Sequence, residues 1–191
     1  MSSVVNGSAD LNREHGRAEL VCLQPGTCSE RATLHLMGRD LPDASVTYVA
    51  TFEDGLEMLK SRTSPEMLMF LPHVHHLARA ATLDDRLELV PRLAFWLANP
   101  PLYLAGRVSE RGATRCACIP DLRSLLIPIG VGDVEFVDAP NTQVAAQMVA
   151  NGDSNLCITN DAGVERYGLR CISQLKKMDV YWIPVRKSGG V

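Results

Sequence analysis

Short apolar runs alternating with capped amphipathic stretches organise this chain, and the alternation predicts a layered fold before composition is considered. Residues 20–23, 45–49 and 67–71 read as strands; the last is a continuous apolar run of the kind found in parallel sheets covered on both faces. Between the first two, Pro25 and Gly26 make a turn, Thr27 or Ser29 caps a helix, and Gly38 stands where that helix stops. Thr51 caps a second helix over 52–60, whose Phe52, Leu56 and Leu59 recur at helical spacing and face a sheet. Runs at 87–90, 93–97 and 102–105, punctuated by Pro91, Pro100 and Pro101, suit strands and crossings between two lobes.

A second series follows. Residues 114–119 read as a strand, 120–126 as a helix with Pro120 at its first position, and 134–137 as another strand. Asn141 or Thr142 caps a helix over 143–150 that Asn151-Gly152 ends. Residues 156–159 form a buried strand, Asn160 or Asp161 caps a helix to Tyr167 that Gly168 stops, and 179–185 form the closing strand. Strand and helix alternate in both halves, which predicts an α/β fold.

The totals narrow the picture. A chain of 191 residues with 46% hydrophobic and 21% charged residues is an ordinary globular composition, large enough for one domain or two closely packed lobes. A net charge of −3 leaves no basic footprint for nucleic acid. The six cysteines show no C-x-x-C pair, so neither a zinc site nor a disulfide framework is indicated, and reduced thiols point to the cytoplasm. No apolar run reaches transmembrane length, so no membrane partner is expected. Residues 1–17 read as a flexible leader and 187–191 as a flexible tail.

Candidate chemistry sits at the loop ends. Small side chains and orphan amides at the start of a helix cradle a carboxylate or phosphate, which makes Thr27, Cys28 and Ser29 in the first half, and Asn141, Thr142 and Gln143 in the second, candidate binders. Two such starts facing each other across a cleft suit a ligand with two carboxylates. His73, His75 and His76 follow the third strand, where ligands of open α/β sheets bind, and an extended chain there puts His73 and His75 on one face. Close histidines without a carboxylate or a distant partner do not make a metal site, and none is assigned. Arg107 ends an apolar run, and its fork suits a carboxylate.

Several of these stretches resemble the prephenate dehydratase family. Pro25-Gly26-Thr27-Cys28-Ser29-Glu30 resembles its G-T-F-S-E signature, 141–146 its serine/threonine-alanine helix start, and 162–169, reading A-G-V-E-R-Y-G-L, its A-x-x-Y-G-L stretch. Order and separation match over residues 18–186. The resemblance implies two α/β lobes of the periplasmic-binding-protein type II kind, lobe 1 about 18–95 plus 172–186 and lobe 2 about 96–171. It further implies a small-molecule substrate in the interlobe cleft, no metal or organic cofactor, and a homodimer.

The departures point to one branch. The family's threonine-arginine-phenylalanine triplet in the closing strand is replaced by the stretch 178–183, which carries Tyr181 and Trp182. Its serine-histidine-proline stretch is Cys118-Ile119-Pro120 here, and 73–76 replaces an asparagine-bearing loop. The non-aromatising prephenate decarboxylases of secondary metabolism, typified by the bacilysin antibiotic pathway, lack the same triplet and are similar in Pro72-His73, Trp182, the loop 26–30, Thr51-Phe52-Glu53 and Ser64-Pro65. The similarity implies loss of CO₂ from prephenate without aromatisation, with His73 or His75 as proton donor. In that reading Thr27, Ser29 and Thr142 bind carboxylates, and Tyr181 and Trp182 form an apolar wall. A dehydratase-like lyase giving phenylpyruvate or acting on a related ring acid, with Tyr181 or a histidine as substitute acid, and a non-catalytic aromatic-acid-binding protein are the alternatives. Cys28, at a helix start where a thiol pKa can fall, is a further chemical candidate.

Overall fold

The computed structural model describes residues 18–62, 67–107, 115–129 and 134–189. Two sheets form two lobes. The first contains β1 (Glu19–Leu23), β2 (Ser45–Val49), β3 (Met67–Pro72), β4 (Leu87–Leu89), β5 (Phe95–Ala98) and, from the far end of the chain, β11 (Asp179–Lys187). β1 runs parallel to β2 and β3, whereas β11 lies antiparallel to β3, β4 and β5. The second sheet has the order β10-β6-β9-β7-β8, built from β6 (Leu102–Gly106), β7 (Arg115–Cys118), β8 (Glu135–Asp138), β9 (Leu156–Asn160) and β10 (Arg170–Gln174).

Helices α1 (Cys28–Arg39), α2 (Phe52–Ser61) and α3 (His76–Leu83) belong to the first lobe, and α4 (Thr142–Asn151) and α5 (Asp161–Arg166) to the second. The predicted caps form: Thr51 Oγ1 accepts the Asp54 amide at 3.0 Å, and Asn160 Oδ1 accepts the Gly163 amide at 3.0 Å. The apolar runs explain the cores. Leu20, Val21, Met69, Phe70 and Leu71 are wholly buried between helices and the closing strand, each worth roughly 1.5–3 kcal/mol of transfer free energy. The second sheet has a cluster on each face, one around Leu104, Leu126 and Ile158, the other around Ala145, Ala146 and Val149.

The chain crosses between lobes at 99–101 and 175–178, so Phe95–Ala98 belong to the first sheet and Arg170–Gln174 to the second. Four expectations change. Residues 73–76 are not extended: β3 ends at Pro72, the chain turns, and His75 caps α3, an element the apolar pattern did not reveal. Pro120–Ile129 is a 3₁₀ rather than an α-helix. The exposed strand β10 has no apolar alternation to announce it. Lys187 pairs with Leu87 and the Ser188 amide donates to Arg86 O at 2.8 Å, so the expected tail begins inside the sheet. The expected leader, residues 63–66 with Ser64-Pro65, Thr114, and Gly190-Val191 lie outside the described residues.

Candidate functional site

The two helix starts named from the sequence meet at the junction of the lobes. In the first, Thr27 Oγ1 accepts the Glu30 amide at 3.2 Å and donates to Gln24 O at 2.9 Å. Glu30 reaches back so that its Oε2 accepts the Gly26 amide at 2.8 Å, a capping-box arrangement that holds the loop shut. Ser29 Oγ accepts the Leu23 amide at 3.2 Å, which commits one lone pair and leaves its O–H as a donor. The first-turn amides of Cys28 and Ser29 are the ones helical geometry leaves for a ligand.

In the second start, Asn141 Oδ1 accepts the Gln143 and Val144 amides, both at 3.0 Å. The same oxygen accepts Gln24 Nε2 at 3.1 Å from the other lobe. Gln143 Nε2 and Asn160 Nδ2 both donate to Gly26 O, at 3.0 and 2.8 Å, and Asn141 Nδ2 donates to Ala50 O at 3.4 Å. The lobes are therefore stitched together directly beneath the paired helix starts. Gly26 is at φ +89°, in the left-handed region, and a Cβ there would lie 3.0 Å from Gln143 Cδ.

Above this seam lies a cavity of about 750 Å³ including its open mouth. Thr27, Cys28, Ser29, Asn141 and Thr142 line one end, and His75 and Trp182 also face it. The remaining wall is dominated by apolar groups such as Phe52, Leu102, Met178 and Val180. Such an apolar chamber with a few convergent polar groups has the make-up of a small-molecule site.

Four sequence candidates do not line it. His73 extends the β3–β11 pairing, its Nδ1 accepting the Tyr181 amide at 3.1 Å while its ring stands edge-on to Trp96 at 5.5 Å. Tyr181 packs on Trp96 at 5.2 Å, outside the chamber. Arg107 donates to Ala150 O near the C-terminal end of α4, where a cation complements the helix dipole. Gln143 is fully buried in the seam below. The alternation of side chains along β11 explains the division between neighbours: Val180 and Trp182 point inward, Tyr181 outward.

Sequence reasoning missed Asn99, Asp121 and Lys176, which reach the cavity from the interlobe crossings and from the 3₁₀ helix. Lys176 is the one cationic chain among the described lining residues. Asn99 Oδ1 and Trp182 Nε1 are buried and have no hydrogen-bond partner among the described residues.

Titration follows burial. The Cys28 thiol is pushed up to about 11 by burial, against the opposing effect of its hydrogen bond with Asn160, so it stays protonated and the depressed pKa expected of a helix start is not realised. His75 is held below the usual histidine value first by burial and then by neighbouring His76. Its Nδ1 accepts the Leu77 amide at 3.3 Å, so the neutral ring carries its proton on Nε2.

Fold and cavity together define a two-lobed α/β domain with the periplasmic-binding-protein type II fold. Comparison with solved structures gives the same class. The chain superimposes on a prephenate dehydratase from Arthrobacter aurescens, solved in complex with L-Phe, with a TM-score of 0.62 at 12% identity, covering 91% of this chain and 61% of that protein. The periplasmic VFT2 domain of Bordetella pertussis BvgS matches with a TM-score of 0.59 at 17% identity, covering 96% of this chain and 86% of that one. A putative methionine-binding lipoprotein from Bacillus subtilis matches with a TM-score of 0.57 at 10% identity, covering 88% and 83%. No protein-family model and no curated protein matches the sequence. The fold is thus shared with an enzyme, with a periplasmic domain and with a binding protein, and function has to be argued from the cavity.

Proposed function

We propose that this chain is a prephenate decarboxylase, removing CO₂ from prephenate without aromatisation to give a dihydro-4-hydroxyphenylpyruvate. The observation that carries the reading is the convergence of both helix starts on one apolar cavity whose closing-strand wall is Val180 and Trp182. Dehydration needs an acid at the ring hydroxyl. The sequence candidate for that role in the closing strand, Tyr181, packs on Trp96 instead, which weighs against phenylpyruvate as product.

In this reading the pyruvyl carboxylate rests on the Ser29 and Thr142 end, where amides and hydroxyls supply fixed partial positive charge. The ring and its carboxylate then lie against the apolar wall. Poor solvation of that carboxylate favours its departure as neutral CO₂, because the charge moves off it as the carbon–carbon bond breaks. The electron pair passes into the diene, and His75 delivers a proton to a ring carbon. Burial keeps the free imidazole neutral, and the negative charge of a bound substrate favours its protonated form. The hydroxyl stays because, in this reading, His75 faces a ring carbon and not the hydroxyl, and Tyr181 packs outside the cavity. The six cysteines are free thiols, which fits the reducing cytoplasm proposed for the enzyme.

Turnover in D₂O tests the proton step: the product carries one deuterium on a ring carbon, and His75→Gln retains substrate binding while losing turnover. Undiminished turnover in His75→Gln contradicts the assignment. The second reading, a non-catalytic binding protein for an aromatic acid, is favoured by the binding lipoprotein that shares the fold. Tight prephenate binding without any product supports it instead.

A further inference from the structure

We infer that His75, His76 and Asp121 form a binding site for one divalent transition-metal cation of the zinc kind, bridging the two lobes at the rim of the cleft. One ligand atom from each lies within 4.8 Å of the other two. His76 Nδ1 stands 3.6 Å from Asp121 Oδ2, and its Nε2 stands 3.9 Å from Glu53 Oε1. The histidines come from the start of α3 in the first lobe and the aspartate from the 3₁₀ helix of the second. At the start of α3 the two rings stack, with centroids 4.4 Å apart and planes at 26°, and both border one space. That space is a second hollow beside the main cavity, lined also by Glu53 and Asp138. Asp138 is already engaged by Arg123, which leaves Asp121 and Glu53 as its available carboxylates.

The chemistry selects the ion. Two imidazoles and a carboxylate with an open position suit zinc, cobalt or nickel, whereas magnesium and calcium want an all-oxygen shell. Tetrahedral zinc places its donors about 3.3 Å apart, so the His76–Asp121 pair at 3.6 Å is nearly in place and separations of up to 4.8 Å must contract. His76 is 64% and Asp121 37% exposed, so these side chains can move without disturbing packing. Coordination through His75 Nε2 transfers the ring proton to Nδ1 and gives up the long bond from the Leu77 amide. A solvent molecule completes the shell. The site stands independently of the decarboxylase reading, but the two meet at His75. Coordination occupies His75 Nε2, the nitrogen that carries the proton in the free ring, so occupancy would inhibit turnover.

Calorimetric titration of the metal-free full chain with Zn²⁺ tests the proposal, using a Cys171→Ser background to remove the exposed thiol as a competing ligand. The expected result is one equivalent per chain, with Co²⁺ giving a tetrahedral visible spectrum free of a thiolate charge-transfer band. His76→Ala and Asp121→Asn should each weaken binding by about tenfold or more, with the fold verified by circular dichroism. Absence of one-equivalent binding, binding that survives both substitutions, or a thiolate band overturns the site. Because the readout is binding, its failure is distinct from any failure of the proposed lyase activity.

Discussion

Gln143 Nε2 donates to the carbonyl of Gly26 at 3.0 Å, joining the helix start of one lobe to the loop of the other. The same nitrogen donates to Asn160 Oδ1 at 3.0 Å, and Asn160 in turn holds Gly26 O. The helix-start end of the cavity is built on this seam, so its shape depends on residues that do not line it.

Gly26→Ala should therefore destabilise the protein by about 2 kcal/mol, because a side chain at φ +89° costs about 1–2 kcal/mol and its Cβ also meets Gln143. Gln143→Ala should cost about 1–3 kcal/mol by stranding buried partners. Denaturant unfolding measures both. A Gly26→Ala protein as stable as the wild type would mean that the loop lies elsewhere.

Asn141 caps two amides of α4 and also accepts Gln24. Asn141→Ala should cost about 1–2 kcal/mol of stability. Thr142→Val keeps the shape but removes a hydroxyl facing the cavity, and it should raise the dissociation constant for prephenate by about tenfold, equivalent to about 1.4 kcal/mol. Unchanged affinity by calorimetry would remove Thr142 from the carboxylate site.

Tyr181→Phe should leave both the turnover rate and the identity of the product unchanged, because the ring packs on Trp96 outside the cavity. A Tyr181→Phe enzyme that loses activity would restore that residue to the mechanism.

The thiols give a pH signature. Burial raises Cys22 and Cys28 to about 11 and Cys157 to about 12 in the folded protein. A folded value above the unfolded one means that the native state holds its protons longer. The associated stability is complete below the ordinary thiol value and is lost as pH rises through 9 towards 12. The melting midpoint should fall between about pH 8 and about pH 10.5, and Cys171, the exposed thiol, should be the first of the described cysteines to react with a thiol reagent. A flat midpoint over that interval would contradict the burial argument.

How much of this was legible follows from what each residue needed. Strands β1 and β3 announced themselves as apolar runs, and Thr27, Thr51, Asn141 and Asn160 announced their helices, because capping is local chemistry. Helix α3 did not, since only Ala78 and Ala81 of its eight residues are buried. The inward and outward sides of β11 were hidden because Tyr181 and Trp182 are adjacent and both aromatic; the strand's register decides which one meets the cavity. Arg107 was placed near a ligand by its position after an apolar run, yet its guanidinium found the open carbonyl end of α4. Asn99 and Lys176 from the interlobe crossings and Asp121 from the 3₁₀ helix lie far apart in sequence, and only the packing of the lobes brings them together. The same packing brings Asp121 to His75 and His76, the distant carboxylate that the histidine run lacked in the sequence.

Decarboxylation is decided by incubating the purified full chain with prephenate near neutral pH and following the products by NMR and mass spectrometry. A prephenate decarboxylase yields a non-aromatic keto acid lighter than prephenate by CO₂ alone, with the ring hydroxyl retained and formation faster than in a protein-free control. Phenylpyruvate, or no product above the control, would contradict it.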